Sequence, residues 1–409
     1  MHAFPTEWAR AQFPALQLAI EGQPAIFLDG PGGTQVPEPV IKAVGDYYRK
    51  NNSNLGGKFI TSQNTAELVQ KARAQLAEFL NARAPEEIVF GANMTTLTFS
   101  LSRALARTWQ AGDEVIVTSL DHDANITPWR VAAAERGAVV RTWECDLETC
   151  TLALADLQRL LTPRTRLVAV TLASNALGSV TDVASVCRLA HRSGAQAFVD
   201  AVHFAPHGPI DVQGLDCDYL ACSAYKFFGP HLGVLWGRAQ LLEQLESYKV
   251  RPACSHAPGK WETGTQSFEA IAGTAAALAY LRDVGYRTSG RAILHDAMNV
   301  IREHEMHLSQ AFLEGVRSQH RIEIYGSADP ERCETRTPTF AFRVHGVAPA
   351  EVAARLAQAG IFVWSGHFYA VDLVDRLGLD EDGGLVRAGF VHYNTLEEVE
   401  RTLDALARI

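Results

Sequence analysis

Between about residues 65 and 240, short apolar segments rich in β-branched residues alternate with longer helical ones, and this alternation limits the fold more than any other feature. Apolar strands interleaved with helices favour a mostly parallel sheet that helices cover on both faces. The predicted strands are residues 87–90, 114–117, 166–170, 197–199, 219–222 and 233–236. The predicted helices are residues 67–82, 125–135, 155–161 and 183–191.

The pattern changes after residues 252–264, where proline, glycine and serine crowd together. The segments that follow predict a smaller α+β part of the chain. Its predicted helices are residues 268–281, 293–316, 350–359 and 396–407, and its predicted strands are residues 322–325, 339–344, 361–364 and 386–390. Thr395 and Glu398 have the spacing of a capping box at the start of the last helix.

Composition restricts the class of protein. A chain of 409 residues with 47% hydrophobic and 20% charged residues is typical of a globular protein. Its net charge of −9 offers no general attraction for nucleic acid or anionic lipid. Because no apolar stretch reaches the roughly 18 residues of a membrane span, and residues 1–8 lack a signal-peptide pattern, we expect neither membrane attachment nor secretion.

Cysteine usage points to the compartment and argues against a metal. The seven cysteines include no CxxC pair, and several lie in apolar segments. This usage is typical of reduced thiols rather than of a disulfide framework or a zinc site. We therefore expect a cytoplasmic protein without a metal.

Lys226 has surroundings that differ from those of a surface lysine. It follows the predicted strand 219–222 and precedes Phe227 and Phe228. Ligands of α/β folds bind at the carboxyl ends of the strands, and apolar neighbours lower the pKa of an amine, as Schiff-base chemistry requires. From this segment alone, a lysine that extends from a strand end to solvent explains the sequence as well.

Asp200 ends the predicted strand 197–199, where a buried carboxylate is costly unless it is paired. An aspartate and a lysine at neighbouring strand ends suggest pyridoxal phosphate, because the lysine can bind the aldehyde while the carboxylate keeps the pyridine nitrogen protonated. An aspartate that caps the following helix is the alternative.

Residues 91–96 follow the strand 87–90 and open a helix. Backbone N–H groups at a helix start, together with the Thr95 hydroxyl, would hold a phosphate. Simple capping by Thr95 explains this segment equally well in isolation. The succession of a helix start, Asp200 and then Lys226 is what favours a phosphate-bearing cofactor.

Over nearly the whole chain, these segments resemble the class V aminotransferase superfamily of pyridoxal-phosphate enzymes, and within it the cysteine-desulfurase-like branch. The segments that carry the resemblance are FLDGPGGT (27–34), DHDANITPW (121–129), SNALG (174–178), VDAVH (199–203), SAYKFFGP (223–230), ETGT (262–265) and VRAGFVHYNT (386–395). The resemblance implies an α/β, aspartate-aminotransferase-type fold. A large, mostly parallel-sheet domain would span residues 20–285, and a smaller α+β domain would join residues 1–19 to residues 286–409.

The resemblance also implies pyridoxal 5′-phosphate as the cofactor and assigns residues to it. Lys226 would be the Schiff-base lysine and Asp200 the partner of the pyridine nitrogen, while Asn175 and His203 would lie near the ring hydroxyl. His203 is a candidate catalytic residue as well. The remaining cofactor-binding candidates are Met94, Thr95, Ser223, Tyr225 and Thr265, with Thr95 and Ser223 at the phosphate.

Further implied assignments concern the substrate and a second subunit. Thr265 would reach the phosphate of a partner subunit, so that a homodimer shares its active sites. Arg387 would bind the substrate α-carboxylate through two parallel hydrogen bonds, unless it is an ordinary surface arginine. Gly32, Gly33 and His367 would line the entrance and contact the substrate.

Two positions depart from the desulfurase pattern. Tyr369 takes the place of the nucleophilic cysteine, so persulfide chemistry lacks its usual thiolate; Cys254, in a flexible stretch, is the alternative source of one. Asp123 takes the place of the histidine that stacks on the cofactor ring, with His122 one residue earlier. An aspartate cannot stack, but it can exchange a proton near the reacting carbon, so Asp123 is a catalytic candidate.

The sequence therefore predicts a homodimeric pyridoxal-phosphate enzyme that acts at Cα of a small amino acid, by amino-group transfer or by β-elimination of the C–S lyase type. Epimerisation or racemisation stays open, as does a binding protein that keeps the fold without turnover. A nicotinamide-dependent oxidoreductase is disfavoured, because the glycines at 30–33 precede any βαβ unit and lack the GxGxxG spacing.

Overall fold

The computed structural model describes residues 4–290 and 293–409. Residues 1–3, 291 and 292 of the predicted small domain lie outside this part. The strands of the described residues are β1 Ala19–Ile20, β2 Gln23–Pro24, β3 Ile26–Phe27, β4 Ile88–Gly91, β5 Glu114–Thr118, β6 Val139–Trp143, β7 Thr165–Thr171, β8 Gln196–Asp200, β9 Tyr219–Ser223, β10 Gly233–Gly237, β11 Ile322–Tyr325, β12 Thr339–Val344, β13 Ile361–Phe362, β14 Trp364–Gly366 and β15 Leu385–Gly389.

Helices surround these strands. Their bounds are α1 Thr6–Ala11, α2 Glu38–Lys50, α3 Ile60–Phe79, α4 Met94–Ala106, α5 Thr127–Ala134, α6 Leu154–Leu160, α7 Val183–Arg192, α8 Val212–Leu215, α9 Ala239–Gln244, α10 Phe268–Ser289, α11 Leu294–Arg317, α12 Pro349–Gln358, α13 Val371–Arg376 and α14 Leu396–Ala407. Among the residues described, none of these helices is long and apolar enough to cross a membrane.

The central sheet has seven strands in the order β4-β10-β9-β8-β7-β5-β6. β10 runs antiparallel to β4 and β9, whereas the pairs from β9 to β6 are parallel. Neighbouring residues of β8 point to opposite faces: Val199 packs in one apolar cluster with Cys187 and Leu278, and Phe198 packs in another with Trp129. The predicted α/β fold with a mostly parallel sheet covered on both faces is confirmed.

Several elements of this domain were not predicted, among them the edge strand β6 and the helices α2 and α9. β6 forms the sheet edge, and its exposure falls from Val139, which is exposed, to Trp143, which is buried. Arg141 in its middle bonds to Glu114 on β5 at 2.8 Å. An edge strand pairs with only one neighbouring strand and is partly exposed. Polar residues are therefore tolerated in it, and they interrupt the apolar pattern that identifies central strands.

The C-terminal part folds around a smaller sheet in the order β11-β12-β15-β14. Phe312 on α11, Phe340 on β12 and Phe390 pack together beneath it. The predicted capping box is present: the Thr395 hydroxyl accepts from the Glu398 N–H, and the Glu398 carboxylate accepts from the Thr395 N–H. The predicted strand 361–364 divides into two, because β13 pairs with β3 while β14 pairs with β15.

The segment at the start of the predicted large domain contacts the small sheet. Ile26 and Phe27 of β3 pair in parallel with Ile361 and Phe362, and Ile26 joins the apolar cluster of the small domain. The predicted boundary at residue 20 places these residues in the large domain, and the division itself stays a prediction. A pairing between such distant segments leaves no local sequence signal.

The two parts also meet beside the cavity described below. Gly178 follows β7 and accepts a hydrogen bond from the Thr337 N–H at 2.8 Å. Buried Arg336 donates to the carbonyls of Leu177 at 3.2 Å and of Thr337 at 3.2 Å. A guanidinium that donates to main chain of both parts fixes the orientation of the small sheet relative to the large one.

Candidate active site

A cavity of about 460 Å³ opens where β7, β8 and β9 end and the small domain begins. Its polar lining comes from strand ends and from loops of both domains, as expected for the carboxyl edge of a parallel sheet. The sequence-predicted residues that line it are Gly32, Met94, Thr95, Asn175, Asp200, His203, Ser223, Tyr225, Lys226, His367 and Arg387.

Lys226 lies in a short 3-10 turn after β9, and its Nζ donates a hydrogen bond to the Pro31 carbonyl. The next turn is tight: Phe228 has a φ of +68° and donates its N–H to the Thr34 hydroxyl at 3.0 Å. Burial lowers the pKa of Lys226 to about 7; the charge of Arg387 adds to this effect and that of Asp200 opposes it. The amine is therefore largely neutral just above neutral pH.

Asp200 ends β8 with one carboxylate oxygen bonded to the Val202 N–H at 2.9 Å. Burial raises its pKa to about 6, against the effects of that hydrogen bond and of Lys226. The remaining oxygen is available to a cationic ring nitrogen, for which a carboxylate is the strongest acceptor.

His203 and Asn175 lie on the side of the cavity toward the small domain. The His203 Nε2 is 3.1 Å from the Thr337 hydroxyl, and burial lowers its pKa well below the usual range. The Asn175 amide donates to the Phe368 carbonyl at 2.8 Å. Its Oδ1 is buried and, among the described residues, has no hydrogen-bond partner, so a donor from a bound molecule would satisfy it.

The start of α4 forms another part of the lining. Asn93 caps the helix, accepting from the Thr96 N–H at 2.9 Å. The N–H groups of Met94 and Thr95 belong to the first turn, which has no helical acceptor, and Ser223 lies at the same cavity. A helix start with two hydroxyls suits a phosphate.

Arg387 is buried in the centre of β15. It donates to the Asn175 carbonyl at 2.9 Å, and its guanidinium carbon is 4.3 Å from the centre of the Phe368 ring. Its Nε has no hydrogen-bond partner among the residues described. Burial lowers the pKa of Arg387 to about 9, and burial raises that of nearby Asp29 to about 6. A substrate carboxylate would compensate this buried cation.

Asp123 is not among the residues that line the cavity, and its catalytic role stays a prediction. Its carboxylate accepts from the Thr127 hydroxyl at 3.0 Å, and its N–H donates to the Tyr369 carbonyl at 2.8 Å. His122 lines the cavity instead and stacks on Tyr369 with a centroid distance of 5.2 Å. The 3-10 turn that begins at Asp123 sets which of the two side chains faces inward.

Gly33 and Thr265 also lie outside the cavity lining. The Gly33 Cα faces the Tyr225 ring, which a Cβ would approach to 3.2 Å. Thr265 is exposed in the segment before α10. Its expected role requires a second subunit, and it stays a prediction.

Sequence reasoning missed the role of Asp121. Asp121 is fully buried and accepts from Asn125 at 2.5 Å and from the Thr171 N–H at 3.1 Å, which ties β5 to β7 beside the cavity. Burial raises its pKa to about 7. The segment DHDAN was noted, but nothing in it showed that Asp121 rather than Asp123 is buried.

None of the cysteines lines the cavity in the part of the chain that the structure describes. Cys254 is exposed, and Cys222 on β9 is buried with a pKa raised by burial. Tyr369 lies at the cavity mouth, where the resemblance expects a cysteine.

These residues fit pyridoxal 5′-phosphate. A buried, largely neutral amine, a strand-end carboxylate and a helix start face one cavity, and the unpartnered Asn175 Oδ1 and Arg387 Nε point to groups that a bound molecule would satisfy. The amine, the carboxylate and the helix start match the aldehyde, the pyridine nitrogen and the phosphate in turn.

Comparison with known proteins gives a family match. The family model described as aminotransferase class-V matches residues 26–402. A cysteine desulfurase of Klebsiella pneumoniae is 33% identical over 426 residues, covering 99% of this chain and 98% of its own. An aminotransferase-like protein of Gibberella zeae is 35% identical over 419 residues, covering 100% and 99%.

A solved structure agrees over the same length. The apo structure of a cysteine desulfurase from Thermococcus onnurineus superposes with a TM-score of 0.88 at 27% identity, covering 100% of this chain and 98% of that one. The likeness extends over both domains and therefore over the cavity between them.

Proposed function

The chain belongs to the aminotransferase class-V family, and from that premise we propose that it acts at Cα of a free amino acid, with Lys226, Asp200 and Arg387 as the central residues. The enzymes of this family depend on pyridoxal 5′-phosphate, and so does this chain. The observation that carries the proposal is the convergence of these three side chains on one cavity.

Arg387 is proposed to bind the substrate carboxylate. Its fork presents parallel N–H groups to a planar anion, and Phe368 covers one face of the guanidinium. With Nη1 held by the Asn175 carbonyl at 2.9 Å, the side chain has little freedom to lose when the substrate binds.

Lys226 is proposed to hold the cofactor through its amine and then to move the Cα proton. Its pKa of about 7 leaves a large fraction of the amine neutral at physiological pH, which suits both attack on an aldehyde and acceptance of a proton. Bound pyridoxal phosphate supplies a ring that delocalises the electron pair left at Cα. Asp200 would keep the ring nitrogen protonated, because its carboxylate lies in the cavity lining at the end of β8.

The fate of that electron pair decides the reaction. We propose amino-group transfer or β-elimination of the C–S lyase type, in keeping with relatives named aminotransferase-like protein and cysteine desulfurase. A desulfurase-type persulfide needs a thiolate, and no described cysteine faces the cavity. We therefore favour outcomes in which the enzyme itself carries no sulfur.

We also propose a cytoplasmic homodimer with shared sites. Its supports are cysteines that are mostly buried as free thiols and the exposed position of Thr265, away from the cavity of its own subunit.

Borohydride reduction of the purified holoenzyme, followed by peptide mass mapping, tests the cofactor assignment. We expect loss of the visible band and a phosphopyridoxyl group on Lys226. An adduct on another lysine, or none, contradicts the proposal. Incubation with pooled amino acids, following keto acid, ammonia and sulfide, then separates transfer from elimination. An inverted Cα without any of these products would instead indicate epimerisation.

A further inference from the structure

The loop between β14 and α13 has an unusual backbone. Phe368 and Tyr369 are consecutive aromatic residues with φ of +54° and +59°, a region that bulky L-residues rarely adopt. Such conformations persist where surrounding contacts impose them, and they concentrate at functional sites. We therefore expect contacts from the surrounding structure to hold Phe368 and Tyr369 in this conformation.

Three hydrogen bonds hold the strained residues. The Asn175 amide donates to the Phe368 carbonyl and the Asp123 N–H donates to the Tyr369 carbonyl, both at 2.8 Å. The Tyr369 N–H donates to the His367 Nδ1 at 3.0 Å. Two of these donors come from the large domain, so the rings are positioned by the cavity wall and not by the loop alone.

The two rings face different parts of the cavity. Phe368 lies over the guanidinium of Arg387. Tyr369 stacks on His122 with an interplanar angle of 11° and is 64% exposed, so one face remains open at the mouth. Trp364 lies beside Gly32, where a Cβ would come within 2.6 Å of its indole nitrogen. Arg387, which can bind a carboxylate, therefore lies next to several aromatic rings.

Both imidazoles of this rim accept a hydrogen bond, and His122 is neutral in this geometry. The Nδ1 of His122 accepts from the Ala124 N–H at 3.0 Å, and the Nδ1 of His367 accepts from the Tyr369 N–H. A protonated imidazole has no acceptor. Burial accordingly lowers the pKa of His122 to about 4. In the described part of the chain, Asp200, Lys226 and Arg387 are the Asp, Glu, Lys or Arg residues that line the cavity, and the first two lie at the strand ends.

We propose that Phe368, Tyr369 and His122 form a preformed side-chain subsite that selects amino acids carrying an uncharged ring. The α-carboxylate binds Arg387, and the ring packs on the open face of Tyr369. Acidic side chains find no second cation there, and basic ones find no free carboxylate among the described rim residues. This inference rests on the proposed function and names its substrate class.

Binding of carboxylic acids that lack an α-amino group tests the subsite without turnover. Calorimetry on the holoenzyme would compare 3-phenylpropionate with butyrate and glutarate. We expect 3-phenylpropionate to bind tighter than either by on the order of tenfold, the scale of one aromatic contact. Equal or tighter binding of butyrate or glutarate overturns the proposal.

Variants assign the preference to Tyr369. Tyr369→Asn suits a positive φ and removes the ring, so it should lose the preference while butyrate binds as before. Tyr369→Phe should keep the preference, which shows that the ring and not the loop is responsible. Tyr286→Asn is the matched control, because Tyr286 is 61% exposed on α10, away from the cavity. Retained preference in Tyr369→Asn contradicts the assignment.

The two proposals fail separately. A phosphopyridoxyl group on Lys226 without a preference for 3-phenylpropionate overturns only the subsite. A preference that depends on Tyr369 without an adduct on Lys226 overturns the proposed function. The subsite then remains as a binding site for aromatic carboxylates.

Discussion

At the scale of residues, burial sets the chemistry of the site. Lys226 shares the cavity with Arg387, a second buried cation, and with Asp200, a single anion. Desolvation and the like charge both favour the neutral amine and outweigh the opposing effect of Asp200. Burial also raises the pKa of Asp200 to about 6.

The first prediction follows from the pKa of Lys226. The neutral amine is the form that attacks pyridoxal phosphate. The rate at which added pyridoxal phosphate reacts with the apoprotein should therefore rise with pH and level off above about 7. The initial growth of the visible band, measured across neutral pH, gives the midpoint. A rate that keeps rising toward the ordinary lysine pKa of about 10.4 would contradict it. Arg387→Gln should shift the midpoint upward, because it removes a neighbouring positive charge.

The second prediction separates His122 from Asp123. Because the Asp123 carboxylate bonds to Thr127 outside the cavity, Asp123→Asn should leave turnover within a few-fold of the wild type. His122→Asn should slow turnover more than Asp123→Asn does, because it removes a side chain that lines the cavity and stacks on Tyr369. Single-turnover absorbance changes measure both. A larger loss in Asp123→Asn would restore the role expected from the sequence.

At the scale of elements, the β7 connection shows how the small domain is positioned. Gly178 has a φ of +81°, and a Cβ on it would come within 2.6 Å of the Thr339 carbonyl and 2.9 Å of the Thr337 carbonyl. The loop therefore approaches β12 as closely as a backbone can. This contact places Asn175 of the same loop beside Arg387 of β15.

The third prediction uses this contact. Gly178→Ala should lower the free energy of unfolding by clearly more than the roughly 1 kcal/mol that a positive φ costs an alanine. Gly194→Ala is the control, because Gly194 has a φ of +83° with nothing within 4 Å of its Cβ position. Urea denaturation of both variants measures the difference. Equal losses would show that the approach to β12 is relaxed without cost.

At the scale of the whole molecule, the cavity needs both domains. The part of the chain with the large sheet supplies Lys226, Asp200 and His122, and the part with the small sheet supplies Arg387, Phe368 and Tyr369. Thr265, which the resemblance assigns to the same site, lies on the surface instead. A second subunit is the arrangement in which that assignment holds.

The fourth prediction tests this arrangement by complementation. Lys226→Ala and Thr265→Ala subunits should each be impaired as homodimers. If Thr265 serves the neighbouring site, a mixed dimer has one doubly altered site and one intact site, so mixing should recover cofactor binding and turnover. Sedimentation checks the dimer. An active monomer, or no recovery on mixing, would assign Thr265 to its own subunit or to none.

The sequence by itself determined the fold class, the cofactor and half of the residues that line the cavity. Central parallel strands are buried on both faces, so their apolar segments are conspicuous, and strand-end residues such as Asp200 follow them directly. Lys226 and Ser223 are local to such a strand for the same reason. These are short-range properties, so the local sequence is sufficient to identify them.

Only the tertiary structure decided which side chain of a turn faces the cavity and what lies opposite it. Asp123 and His122 are adjacent, and the 3-10 turn that selects His122 is held by the Tyr369 carbonyl, far away in sequence. The pairing of β3 with β13 and the strained loop that holds Phe368 over Arg387 arise in the same way. Each depends on a contact between segments that are distant in sequence, and neither segment alone determines the energy of such a contact.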